Sequence, residues 1–125
     1  MKDLKFVLDD YYDILNLHKG LLEARFHDNP SNYYVAGSPI LAKIHVELIQ
    51  LLKEIELSKN GREGWSEWVL LKNQSHYKNQ AINAIKQDSN WSNYDMNRKI
   101  EIAKAYIAPF ECDETDLILL INEIN

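Results

Sequence analysis

Four histidines, one cysteine and nineteen aspartates and glutamates are the side chains with which this 125-residue chain could do proton-transfer, nucleophilic or metal chemistry. Glu23 and His27 stand four apart, and His45 and Glu47 stand close together further along. Carboxylates and imidazoles on facing helices hold metals in helical bundles when they project inward. Glu23 and His27 lie opposite the apolar stripe of their own segment, so they are expected to form an ordinary surface pair, with His45 as a surface or edge residue, no metal and no cofactor. Whether Glu23, His27 and His45 converge is a question for the fold. His18 lies in the centre of the stripe and reads as a hydrogen-bonded core imidazole. His76 falls near a helix start with no partner within reach by sequence.

Cys112 stands alone, so no disulfide can form within the chain and no multi-cysteine metal site exists. A thiol near a helix N-terminus can ionise more readily. Here Glu111, Asp113, Glu114 and Asp116 surround it and push the other way. The chain contains no HExxH, no glycine-rich phosphate loop, no GxSxG and no paired CxxC. Gly61-Arg62-Glu63-Gly64 is a two-glycine loop with no strand before it. No catalytic residue is assigned, and the chain reads as something other than an enzyme.

Charge gives the next discrimination. Fourteen Lys+Arg face nineteen Asp+Glu, for a net charge of −5. Residues 1–58 carry −3, residues 59–110 carry +3 and residues 111–125 carry −5. The middle segment also holds Trp65, Trp68, Tyr77, Trp91 and Tyr94. Basic residues interleaved with aromatics can bind nucleic-acid strands by phosphate contact and stacking. The positive excess is small, however, and Trp65 and Trp68 are expected to face the core, so the balance is against nucleic acid. The acidic ends point to a different partner. Asp9 and Asp13 have Tyr12 beside them, Tyr33 and Tyr34 fall in an expected loop, and Asp113, Glu114 and Asp116 cluster near the C-terminus. Tyrosine rings fill pockets at low entropic cost, and carboxylates steer the approach of a cationic partner. Asp9, Tyr12, Asp13, Tyr33, Tyr34, Asp113, Glu114 and Asp116 are therefore the candidate contact residues for a basic protein.

Helical periodicity supplies the elements that must position these groups, and strand alternation is absent. Leu4, Leu8, Tyr11, Leu15, His18, Leu22 and Phe26 recur every three or four residues. This pattern predicts a first helix ending before Pro30, because the residue before proline avoids the helical region. Gly20 interrupts it, which suggests a closely packed neighbour or a bend. Ser38-Pro39 opens a second helix, serine being a good N-cap and proline favoured at the first helical position. Its inner face is expected to carry Ile40, Leu41, Ile44, Leu48, Leu51, Leu52 and Ile55. A third helix holds Trp65 to Leu71 and a fourth starts near Ser75; the two could run on through Asn73. Ser92 to Asp95 resembles a capping box for a fifth helix carrying Met96, Ile100, Ala103 and Ile107. Asp113 to Asp116 caps a last segment whose run Leu117 to Ile121 is apolar all round and is expected to be buried.

The expectation is an all-α, bundle-like domain of five to six helices spanning 1–125. No apolar run approaches the ~20 residues of a membrane span, and Asp9, Asp10 and Asp13 are foreign to a secretory leader, so a cytoplasmic home is expected. Small, acidic, cysteine-poor helical domains of bacteria without enzyme motifs include immunity proteins, which neutralise toxins. This is an analogy of class, carried by no family motif. The expected function is inhibition of a basic intracellular toxin domain by occluding its active or nucleic-acid-binding cleft. The alternative is a helical regulatory or homo-oligomeric protein, with or without contact to nucleic acid. A metal-binding helical bundle ranks third.

Overall fold

The computed structural model describes residues 6–60 and 64–125. Seven α-helices appear among them: α1 (Tyr11–Arg25), α2 (Tyr33–Ala36), α3 (Pro39–Asn60), α4 (Gly64–Trp68), α5 (Ser75–Lys86), α6 (Met96–Ile107) and α7 (Glu114–Ile124). Two 3-10 turns, Leu71–Asn73 and Trp91–Asn93, complete the elements. The fold is all-α. The count exceeds the expected five or six because Tyr33–Ala36, expected as a loop, forms a single-turn helix. Among the described residues no helix is long and apolar enough to cross a membrane.

Side-chain caps decide where the helices begin. Asp10 accepts from the Asp13 N–H, so α1 starts at Tyr11 and residues 6–9 lie outside it, later than the apolar pattern from Leu4 suggests. Asn32 accepts from the Tyr34 N–H and turns the expected loop at Tyr33-Tyr34 into α2. Ser38 Oγ accepts from the Leu41 N–H at the head of α3, as the Ser38-Pro39 signal predicts. Asp95, not Ser92, caps α6; its carboxylate accepts from the Arg98 N–H, and Ser92 belongs to the preceding 3-10 turn. Asp113 caps α7 through the Asp116 N–H. The helices around Asn73 are separate. A single parallel bridge intervenes, in which Leu71 N–H donates to the Glu111 carbonyl and Glu111 N–H donates to the Val69 carbonyl. Of the loop at residues 61–64, only Gly64 lies within the described residues, at the start of α4.

Two hydrophobic clusters fill the interior. α1 and α3 pack against each other and α4 closes on α3, burying Ile14, Leu48, Ile49, Leu52 and Val69. α5, α6 and α7 form the other group around Ile82, Ile85, Ala103, Ile107, Leu120 and Ile121. Trp68 touches both clusters. Between them α3 meets α6 through the small residues Ala42, Ala105 and Ala108.

Several inner-face expectations fail on α3 and α7. Ile40, Ile44 and Leu51 are exposed, and the buried line of α3 is Ala42, His45, Leu48, Ile49 and Leu52. Apolar residues surround much of α3, so their number did not reveal which arc faces inward. On α7 Ile118 and Leu119 are exposed, because only one face of the helix meets α5 and α6. Gly20 has nothing within 4 Å of where a Cβ would lie, so no neighbour packs closely there.

Candidate functional site

The histidines do not form an open reactive centre. His45 is fully enclosed, a correction to its expected place at the surface or edge, while His18 is buried as its position in the stripe predicts. The same register of α1 buries Arg25, two turns after His18. His18 Nδ1 lies 2.8 Å from His45 Nε2, and Arg25 Nη1 lies 2.9 Å from His45 Nδ1. A guanidinium can only donate, so His45 Nδ1 accepts, its proton sits on Nε2, and it donates onward to His18 Nδ1. Two further donors, on Nη1 and Nη2, reach the carbonyls of Ala108 and Ala105 at the C-terminal end of α6, while the buried Nε–H finds no partner. That end carries the negative pole of the helix, which compensates a buried cation without a carboxylate.

Burial, then Arg25, then His18 push the His45 pKa down to about 3. Burial, then Lys19, push that of His18 down to about 4. Burial also lowers Arg25, to about 10, which leaves it charged at neutral pH. His18 packs edge-on against Trp65 and Trp68, at 5.4 and 5.1 Å between ring centroids. Neutral and enclosed, the two imidazoles tie α1 to α3, and Arg25 ties both helices to α6.

Ala105, which holds Arg25 on its inner side, also lines a surface groove of about 540 Å³. The groove runs between the α2–α3 corner and α6. Its rings are Tyr33, Tyr34, Tyr94 and Tyr106, and its charged groups are Asp88, Arg98 and Glu101. Tyr34 is 91% exposed. Tyr106 lies so close to Gly37 that a Cβ there would sit 2.6 Å from its ring. Burial first, then Asp88, Tyr33 and Tyr94, push the Tyr106 phenol up to about 12. Tyr94 is also raised, by burial and by its contact with Asp88, with Arg98 opposing. Arg98 is turned to Glu101 at 3.1 Å. Asp88 accepts from the Asn90 N–H at 2.9 Å, and no described cation pairs with it.

The other candidate contact residues lie elsewhere. Tyr12 is exposed on the first turn of α1, in a shallow depression with Tyr11, Ile55, Glu56 and Lys59; Asp13 is exposed on the same turn and Asp9 just ahead of it. Tyr12 and the Tyr33-Tyr34 pair line different depressions. Asp113, Glu114 and Asp116 are exposed at the start of α7, which packs on α5 and α6. Asp113 is committed to its cap. Burial, then Asp116 and Asp113, raise the Cys112 thiol, against weaker pulls from Lys104 and Lys78. Tyr33 and Tyr34 thus share a groove, which neither acidic group lines.

Glu23 and His27 open with Lys19, His76 and Gln80 onto a different depression of about 360 Å³ and do not meet His45. Among the described residues no group of three or more His, Cys, Asp or Glu is arranged to hold a metal. Sequence reasoning missed Arg25, Asp88, Tyr94 and Tyr106. Arg25 carried a signal, since it repeats the Ile14–His18 register further along α1. The groove residues carried none, because they come together only when α6 lies against the α2–α3 corner.

The fold and groove define a class: an all-α bundle with a tyrosine-lined, acid-bearing surface groove and a sealed polar core beneath it. No protein-family model, curated protein or solved structure matches this chain.

Proposed function

We propose that this chain is a protein-binding domain of the immunity-protein kind, which neutralises a basic toxin domain inside the cell by covering its cationic cleft. The observation that carries the reading is Tyr34, 91% exposed at the lip of a groove lined by three further tyrosines and the Asp88 carboxylate. Exposed aromatic rings around a concavity are the composition of interface anchors. A net charge of −5 favours approach to a basic partner and disfavours a phosphate backbone. The acids of the α1 and α7 starts then act at a distance, by steering, and the groove acts by contact.

The test is capture of a basic protein from the source cells by the wild-type chain and its loss with Tyr34→Ala. The captured protein must itself lose activity in the complex. Capture that ignores Tyr34→Ala, or a partner whose activity is undiminished, would refute the reading.

One observation favours the homo-oligomeric alternative. Ile40, Ile44 and Leu51 share an exposed face of α3, with Ile40 72% exposed. A dimer through that face would give twice the chain mass in light scattering and revert to monomer with Ile44→Lys.

A further inference from the structure

We propose that the groove takes one arginine side chain, presented by an extended segment of the partner protein, with its guanidinium set against Asp88 and between the rings of Tyr33, Tyr94 and Tyr106. The inference rests on the protein-binding reading and specifies what the groove recognises. Asp88 is the group that demands a cation. It is partly buried, its orientation is fixed by the Asn90 N–H at 2.9 Å, and no described basic side chain pairs with it. An occupant without positive charge would strip water from that carboxylate and leave its charge uncompensated, with only neutral donors such as the Asn90 N–H against it, which is a costly burial. The basic residue of this chain that lines the same groove, Arg98, is held by Glu101 at 3.1 Å. With Arg98 and Glu101 offsetting each other, the groove keeps one uncompensated negative charge.

The rings select the kind of cation. A guanidinium is flat, weakly hydrated and able to lie on an aromatic face while its edge donates two parallel hydrogen bonds to a carboxylate. An ammonium is compact and strongly hydrated, and gains less from such walls. The volume of about 540 Å³ exceeds what one side chain needs, which leaves room for the backbone of the segment along Pro39 and Tyr34. A phosphate-bearing ligand could stack on the same rings, but Asp88 and Glu101 would repel it.

Titration of the full-length chain with a capped Gly-Arg-Gly peptide, its citrulline analogue and its lysine analogue tests this at low salt. The arginine peptide is expected to bind about tenfold more tightly than the citrulline peptide, which matches a contribution of ~1.4 kcal/mol from charge and stacking. The lysine peptide should fall between them. Asp88→Asn, which keeps an acceptor for the Asn90 N–H, should erase the preference for arginine, and Tyr34→Ala, at an exposed site, should weaken the arginine and citrulline peptides alike. Circular dichroism confirms that both variants fold. Equal binding of arginine and citrulline peptides, or no binding of the arginine peptide at millimolar concentration, overturns the proposal. So does partner capture that needs Tyr34 and ignores Asp88, an outcome that leaves the protein-binding reading standing. An arginine preference that persists when no basic partner is captured would sink that reading and support the arginine site.

Discussion

The Arg25 guanidinium and the His45 imidazole meet at 2.9 Å, Nη1 to Nδ1, and the direction of that one bond fixes the protonation of both buried histidines. Because Arg25 cannot accept, His45 must be neutral with its proton on Nε2, and His18 receives that proton's hydrogen bond at 2.8 Å. The chain of bonds runs one way, from α1 through α3 and back to α1. Two further Arg25 N–H groups tie it to the end of α6, whose outer side lines the groove.

Removing the donor should unravel this arrangement. Arg25→Met leaves His45 Nδ1 and the Ala105 and Ala108 carbonyls buried without partners. No charge is left behind, and each buried neutral acceptor left unsatisfied costs about 1–3 kcal/mol. Arg25→Lys should recover little, since an ammonium cannot spread its donors over the same fork of acceptors. Urea unfolding of the two variants measures both statements, and a wild-type midpoint for Arg25→Met would contradict the first.

The same network makes stability depend on pH. His18 and His45 titrate at about 4 and about 3 in the fold, below the 6.5 of an unperturbed imidazole. Between those limits the unfolded chain binds more protons than the native one, so stability rises with pH there. It is fully present above about pH 6.5 and is lost as pH falls toward 4. Urea midpoints recorded from pH 7.5 down to 4.5 should hold to about pH 6.5 and decline below it. Imidazole resonances of His18 and His45 should hold constant until the protein unfolds; a titration of either near pH 6.5 in the folded state would refute the tautomer assignment.

Gly37 and Tyr106 couple the α2–α3 corner to the groove floor. Gly37 has φ −102, which any residue adopts, so an alanine there meets no backbone strain. Its Cβ would sit 2.6 Å from the far edge of the Tyr106 ring, and the ring must swing away. Because the displaced group is the tip of a side chain, Gly37→Ala should cost less than overpacking a sealed core, which runs to about 1–3 kcal/mol. Its main effect should fall on the groove. Arginine-peptide affinity is expected to drop while the thermal midpoint changes little; unchanged affinity would mean that Tyr106 has no part in binding.

Gly20 offers the opposite case. It lies exposed inside α1, and a Cβ there would meet nothing within 4 Å. Gly20→Ala should therefore stabilise the protein by about 0.4–1 kcal/mol, through helix propensity and a less free unfolded chain. A lower midpoint in thermal or urea unfolding would show that the glycine has a use that its surroundings do not reveal.

What the sequence made legible was local. Ser38-Pro39 and Asp113 announced the starts of α3 and α7 because a cap needs only a few neighbouring residues. His18 was legible as a core imidazole because the apolar stripe of α1 runs through it. His45 was not, because α3 is apolar on most of its circumference, and burial there was settled by contact with α1 and α6. The groove was half legible. Tyr33 and Tyr34 stood out as adjacent rings, whereas Asp88, Tyr94 and Tyr106 belong to it only through the packing of α6. Periodicity reports the face of a helix and says nothing of which helix that face will meet.

Binding kinetics with the captured partner would separate steering from contact, roles that the proposed function gives to different residues. Tyr34 borders the groove and is 91% exposed, so it loses the most area when covered. Tyr34→Ala should speed dissociation by the equivalent of about 1–2 kcal/mol, the scale of an interface hot spot. Asp9 and Asp116 are exposed and do not line the groove. Asp9→Lys and Asp116→Lys should slow association at low ionic strength, and the effect should vanish as salt screens charges beyond about 10 Å at ~0.1 M. Neither should change the dissociation rate. If Asp116→Lys speeds dissociation and Tyr34→Ala does not, the contact surface is the start of α7, and the groove has been given the wrong role.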